Sequence, residues 1–212
     1  GQLEYRGYDS AGMSFINQTG LHTIKTLGKV KDLETVVAKQ SPDGNIGIAH
    51  TRWATHGLPC DKNAHPHSNG KVSVIHNGII ENHVALKAML LASGVKFLSD
   101  TDTEIIPHLI SMYIDQGCSN LEAVRRTLNQ LHGSFGILVL FENDPLTMMA
   151  AKRHAPICVG LGSDGTFIGS DSYALSSFVD SVRFLENDDI AVCGKETLTI
   201  FDAQGMPATR KT

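Results

Sequence analysis

Apolar and polar positions alternate through Val72-Ser73-Val74-Ile75, the period-two mark of a strand with one face in a core. The run then breaks into His76-Asn77-Gly78, and Asn-Gly is a strong hairpin-turn signal. The same pair at the end of a buried strand would also build an oxyanion hole. Asn77 can offer a side-chain NH2, and Gly78 a backbone N–H with no side chain in front of it. On these residues alone both readings stand.

Similar strand patterns run over Met13–Ile16 and Leu21–Leu27, joined by the turn Asn17-Gln18-Thr19-Gly20, and over Ile46–Ala49. A later series covers Phe135–Phe141, Met148–Ala151, Ile157–Leu161, Phe167–Gly169, Ile190–Cys193 and Leu198–Phe201. Leu3–Arg6 reads as a helix end closed by Gly7, and Tyr8–Gly12 as the loop after it. Leu33, Val36 and Val37 predict an amphipathic helix over Val30–Lys39. Another is expected near His83–Ala92, ended by Gly94. Thr101-Asp102-Thr103-Glu104 has the form of a capping box ahead of Ile105, Ile106, Leu109, Ile110 and Tyr113. Pro107 inside that pattern predicts a kink or a displaced boundary. Ser119-Asn120-Leu121-Glu122 is a second capping box, opening a helix that runs to Gly133, and Ser172–Phe178 reads as a short helix. Strands interrupted by paired helices predict an α+β molecule with helices covering sheet faces. No phosphate-cradling glycine loop follows a strand, which disfavours a doubly wound nucleotide fold.

The 212 residues suit one domain without a linker, and the net charge of −4 supplies no basic field for nucleic acid or an acidic membrane. No apolar run is long enough to span a bilayer, and no signal-peptide pattern opens the chain. Cys60, Cys118, Cys158 and Cys193 are widely spaced and read as reduced thiols of a cytoplasmic protein. Gly1 stands without an initiator Met and Thr212 ends a polar tail, so both ends are expected to be cut from something longer.

Candidate chemistry gathers where strands end. Arg52 could take a carboxylate in a bidentate fork, or pair with a nearby acid at the surface. Asp102 could accept an ammonium, or cap a helix start. Together they would clamp a free amino acid. Five of the ten histidines (His50, His56, His65, His67, His76) crowd a short span and raise a rival zinc-hydrolase reading. No HExxH occurs, and His65-Pro66-His67 is expected to place its imidazoles on opposite sides of an extended dipeptide. Hydrogen bonding that holds loops is the expected role. None of the four cysteines has the surroundings of a nucleophile. Read as an acyl-transfer site, the sequence offers an apparent oxyanion hole and a carboxylate clamp but no attacking atom.

Five ordered blocks carry a resemblance: LEYRGYDSAG from Leu3, GIAHTRWATHG from Gly47, NAHPH from Asn63, HNGIIEN from His76 and SDTDTE from Ser99. They resemble the glutaminase (class II glutamine amidotransferase) domain of the glucosamine-6-phosphate synthase family, and cover essentially residues 1–212. The EYRGYDSAG and RWATHG wording is closer to this family than to the related purine-pathway amidotransferases. The resemblance implies an N-terminal-nucleophile hydrolase: a four-layer αββα sandwich of two antiparallel sheets between helix layers. It implies L-glutamine as substrate and no cofactor or metal. It also implies C-terminal sugar-isomerase domains as partners that use the ammonia, in a homo-oligomeric full-length enzyme.

By motif, it assigns Asn77 and Gly78 to the oxyanion hole, Arg52 to the glutamine carboxylate and Asp102 to its ammonium. Thr55, His56 and His65 become pocket residues, Arg6 positions the nucleophile, and Trp53 sits on a closing loop that gates ammonia. The family's nucleophile is an N-terminal cysteine whose own α-amine is the base. Here Gly1 is not Cys, and the segment bearing the nucleophile is absent, so the chain as it stands is expected to be inactive. A non-catalytic module that binds or senses glutamine is the alternative.

Overall fold

The computed structural model describes residues 9–40, 42–53 and 57–212. In chain order the elements are β1 (Ser10–Asn17), β2 (Gly20–Leu27), α1 (Val30–Gln40), β3 (Ile46–Arg52), a 3-10 turn (Asp61–Asn63), β4 (His67–Ser68), β5 (Val72–Ile80), α2 (His83–Ala92), α3 (Ile105–Asp115) and α4 (Asn120–Gln130). They continue with β6 (Gly133–Phe141), β7 (Asp144–Arg153), β8 (Cys158–Gly162), β9 (Gly165–Gly169), α5 (Ser172–Leu175), β10 (Arg183–Phe184), β11 (Ile190–Cys193), β12 (Leu198–Phe201) and β13 (Pro207–Ala208).

The main sheet has the order β13-β12-β11-β7-β6-β5-β4, antiparallel throughout. Strand alternation sorts its side chains between two cores. Val72, Val74, Phe135, Ile137 and Val139 point into the larger core with Leu90 of α2, Ile106 and Leu109 of α3, and Leu128 of α4. Ile75 and Leu140 point the other way and meet Ile16 and Ile48. That second layer consists of two three-stranded sheets, β2-β1-β3 and β10-β8-β9. Val159 and Ile157, at the start of β8, pack on Ala150, Ala191 and Ile200 of the main sheet. Leu33 of α1 packs on Ala11, Phe15 and Ile24 and covers the outer face. The layers therefore run helix, sheet, sheet, helix, with one sheet layer in two pieces. Among the described residues, β3 and β9 are edge strands of those pieces, and both line one cavity. No helix among the described residues is long and apolar enough to cross a membrane.

Several expectations change. Asn77-Gly78 is not a turn: β5 runs through it, pairing Asn77 with Gly136 and Gly78 with Phe135 of β6. Gly78 has φ +130°, and a Cβ there would come within 2.0 Å of the Ser134 carbonyl oxygen, so close approach of β6 requires glycine. β1 starts at Ser10, inside the expected loop. Its Gly12 lets the His65 carbonyl come within 2.2 Å of where a Cβ would stand. The boundary at Pro107 is displaced, as expected: α3 begins at Ile105, later than the Thr101 capping box predicts. Pro107 lies in the first turn, where its missing N–H leaves no helical bond unmade. The Thr101–Glu104 capping box does not form: the Glu104 carboxylate instead accepts from Leu98 N, Ser99 N and Ser99 Oγ. The second box is realised on one side, with Glu122 N donating to Ser119 Oγ, and α4 ends at Gln130 rather than at Gly133.

Candidate active site

A cavity of about 930 Å³ opens between the two sheet layers. Arg52, Trp53, His65, Asn77, Gly78 and Asp102 all line it, so the residues expected to act together do share one space. Arg6, Thr55 and His56 lie outside the described residues.

The open edge of β5 explains most of the site. Short β4 pairs only with Val74 and Ser73, so beyond Val74 the outward N–H groups of β5 need other partners. His76 N donates to His65 Nδ1 at 3.3 Å, and Ile80 N donates to Asp102 Oδ2 at 2.8 Å. Gly78 falls between them with the same parity. Its N–H therefore faces the same edge, toward the cavity. The Asn77 side chain, one residue off, faces the other sheet layer, where its Oδ1 lies 2.8 Å from His50 Nε2.

Asp102 does not cap its own helix. It is buried and holds the end of β5 through Oδ2. Arg52 is 4 % exposed, not a surface residue. Its Nη2 donates to the Gly57 carbonyl at 3.1 Å, and its Nη1 lies 3.9 Å from Asp9 Oδ1. Trp53, at the cavity, is 62 % exposed.

Beneath these groups lies a set of imidazoles. His65 stacks on His50 at 4.4 Å between centroids and meets His67 edge-on at 4.9 Å. The rings of His65 and His67 thus lie together, not on opposite sides, because each reaches a different threonine of one loop. His67 Nε2 bonds to Thr101 Oγ1 at 3.0 Å, and His65 Nε2 to Thr103 Oγ1 at 3.3 Å. A backbone N–H can only donate, so the His76 amide fixes His65 with its proton on Nε2. That proton goes to Thr103 Oγ1, whose own O–H has His76 Nδ1 at 2.9 Å and Asp102 Oδ1 at 3.5 Å as acceptors. The circuit starts on the His76 main chain and ends on its side chain. Burial favours the neutral form of His50, His65 and His67. It holds His50 below the ordinary imidazole range and lowers His65 well below it, with His50 and His67 adding to the latter. Burial and nearby Lys25 bring His67 to about 3. Among the described residues no cluster of His, Cys, Asp or Glu could hold a metal ion, and the ring nitrogens of His65 are committed to the hydrogen bonds above.

Sequence reasoning missed Asp9 and Thr103. Asp9 stands in the first motif block, close to the arginine it neighbours in space, and Thr103 in the last. The blocks were a signal, but the pairing across them was not.

Against known proteins, residues 50–177 match the model of a glutamine amidotransferase domain. The chain belongs to that family. Among curated relatives, the glutamine–fructose-6-phosphate aminotransferases (isomerizing) of Bartonella henselae and Haemophilus influenzae are 44 % and 46 % identical over 209 and 211 residues. Each alignment covers 99 % of this chain. The chain spans about a third of those relatives, 34 % and 35 %. Among solved structures, the glutamine phosphoribosylpyrophosphate amidotransferase from B. subtilis superposes with a TM-score of 0.81 at 23 % identity, over 95 % of this chain and 44 % of that one. A glutamine aminotransferase class-II domain protein from Silicibacter pomeroyi gives 0.64 at 14 % identity, over 92 % and 91 %. The αββα layering is thus the fold of glutamine amidotransferases.

Proposed function

We propose that this amidotransferase domain hydrolyses the side-chain amide of L-glutamine, and that in the whole protein the ammonia serves the conversion of fructose 6-phosphate to glucosamine 6-phosphate by C-terminal sugar-isomerase domains. One observation carries the reading: a single cavity is lined by a buried arginine, a buried carboxylate and an Asn-Gly pair. Arg52 takes the α-carboxylate of glutamine as a planar fork. Asp102, with Oδ2 given to Ile80, presents Oδ1 to the α-ammonium. The Asn77 NH2 and Gly78 N–H then receive the amide oxygen as it becomes an oxyanion. His65, Thr55 and His56 complete the pocket, and Trp53 gates it.

The nucleophile in this reading is an N-terminal cysteine on a segment preceding Gly1, seated in the cavity between the edges of β3 and β9 with Arg6 placing it. Its thiol attacks the amide carbon and its α-amine, with a pKa near ~8, takes the thiol proton and passes it to the leaving ammonia. The thioester that remains is hydrolysed to glutamate, regenerating the thiol.

Calorimetry of the chain with glutamine tests the pocket: binding is expected, and Arg52→Ala or Asp102→Ala should abolish it. Turnover is expected once the cysteine-bearing segment precedes the domain. Binding with no turnover in that extended protein would assign a glutamine-sensing module instead, and absence of binding would remove the assignment.

A further inference from the structure

An oxyanion donor built from an asparagine has a weakness, because a rotated carboxamide presents its oxygen where its NH2 should be. In this reading of Asn77 the rotation would set a carbonyl against a developing negative charge. We propose that His50 is a positioning residue that fixes this polarity, its Nε2–H holding Asn77 Oδ1 so that the NH2 is left to donate. The proposal rests on the oxyanion role given to Asn77 above.

The geometry supports it from both sides of the bond. Nε2 and Oδ1 are 2.8 Å apart, while Asn77 Nδ2 makes no hydrogen bond among the described residues. His50 Nδ1 is buried with no hydrogen-bond partner there. A neutral imidazole has one N–H. With the proton on Nε2, it meets an acceptor and the buried Nδ1 is only a lone pair. With Asn77 rotated, the proton must move to Nδ1, which is buried with no partner at hydrogen-bond geometry, the His76 carbonyl near the ring being a weak acceptor for it. The ring is also held in place by its stack on His65, itself fixed by the His76 amide and Thr103. The direction of a main-chain N–H thereby supports the orientation of a side-chain amide two rings away.

The test uses the full-length enzyme with its nucleophile segment. His50→Leu should lower kcat about 10–100-fold, the usual effect of losing a partner that orients a functional group, with KM for glutamine within about twofold. His50→Gln, whose amide nitrogen reaches the place of Nε2, should recover most of that loss. Asn77→Ala should cost about 10²–10³-fold in kcat, and adding His50→Leu to it should cost nothing more. Full activity of His50→Leu, or losses that multiply in the double variant, would overturn the positioning role while leaving Asn77 in place. Full activity of Asn77→Ala would overturn the oxyanion reading itself. Should His50→Leu fail to fold, long-range 1H–15N spectra of the histidine-labelled chain decide. His50 is expected protonated on Nε2, and a proton on Nδ1 would end the proposal.

Discussion

At single positions the site depends on conformations and protonation states that a change of one group would disturb. Gly78 combines φ +130° with a main-chain oxygen 2.0 Å from any Cβ. Gly78→Ala should therefore lower stability by more than the ~1–3 kcal/mol of a strained backbone alone, checked by urea unfolding. The buried histidines make stability depend on pH. Their native pKa values lie below those of the unfolded chain, with His67 at about 3 against 6.5. Above about pH 6.5 neither state is protonated and the native state keeps its full stability. As pH falls below 6.5 the unfolded chain takes up protons that the native rings refuse. Stability is then lost at up to about 1.4 kcal/mol per pH unit for each such ring. The loss levels off only below the native value. Unfolding at pH 7 and pH 5 measures this, and an unchanged midpoint would contradict neutral buried rings. The pairings of Asp9 with Arg52 and of Thr103 with His65 and His76 were not legible in the sequence, since no local pattern links residues that lie on different elements.

Among elements, the segment leading into α3 contributes two groups to the proposed pocket and its floor, Asp102 and Thr103. Glu104 ties it down: burial opposes its charge, but bonds from His108, Ser99 and Leu98 hold its pKa at about 2. Glu104→Gln would turn one of these acceptors into a donor facing backbone N–H groups. A loss of about 1–3 kcal/mol is expected, with weaker glutamine binding by calorimetry because Asp102 shifts with the loop. Retained affinity would show that Asp102 is held from β5 alone. The elements themselves were largely readable. β2, β11 and β12 lie where strands are expected, and α1 and α2 where helices are, because each is a short regular stretch of apolar residues packed on a core. The pattern failed where a tertiary contact replaced a local one. β5 passes through Asn77-Gly78 because β6 lies against the bare Cα, and Glu104 abandons its cap for a loop. The two-residue strands β4, β10 and β13 are too short to show any period.

For the whole molecule, the division of one sheet layer is the main departure from a simple sandwich. Among the described residues, the edges of β3 and β9 leave backbone groups without a ladder on the cavity side. If the nucleophile segment seats there as a strand, amides of both edges should exchange more slowly in the extended protein than in this chain. Equal exchange by mass spectrometry would place the segment elsewhere. The layering and the cavity-forming strands were legible through the motif blocks, whereas the split was not, since edge strands and central strands share one pattern. The histidine circuit beneath the cavity bears on how this molecule can handle acid. Its direction is imposed by the His76 main-chain amide, which has no second tautomer. Moving the His65 proton to Nδ1 would leave that amide facing another donor, so this ring keeps one tautomer. A ring locked in one tautomer and held neutral by burial is a poor proton carrier, so in the proposed reaction the hydrogen for the departing ammonia comes from the cysteine amine and not from the floor of the site.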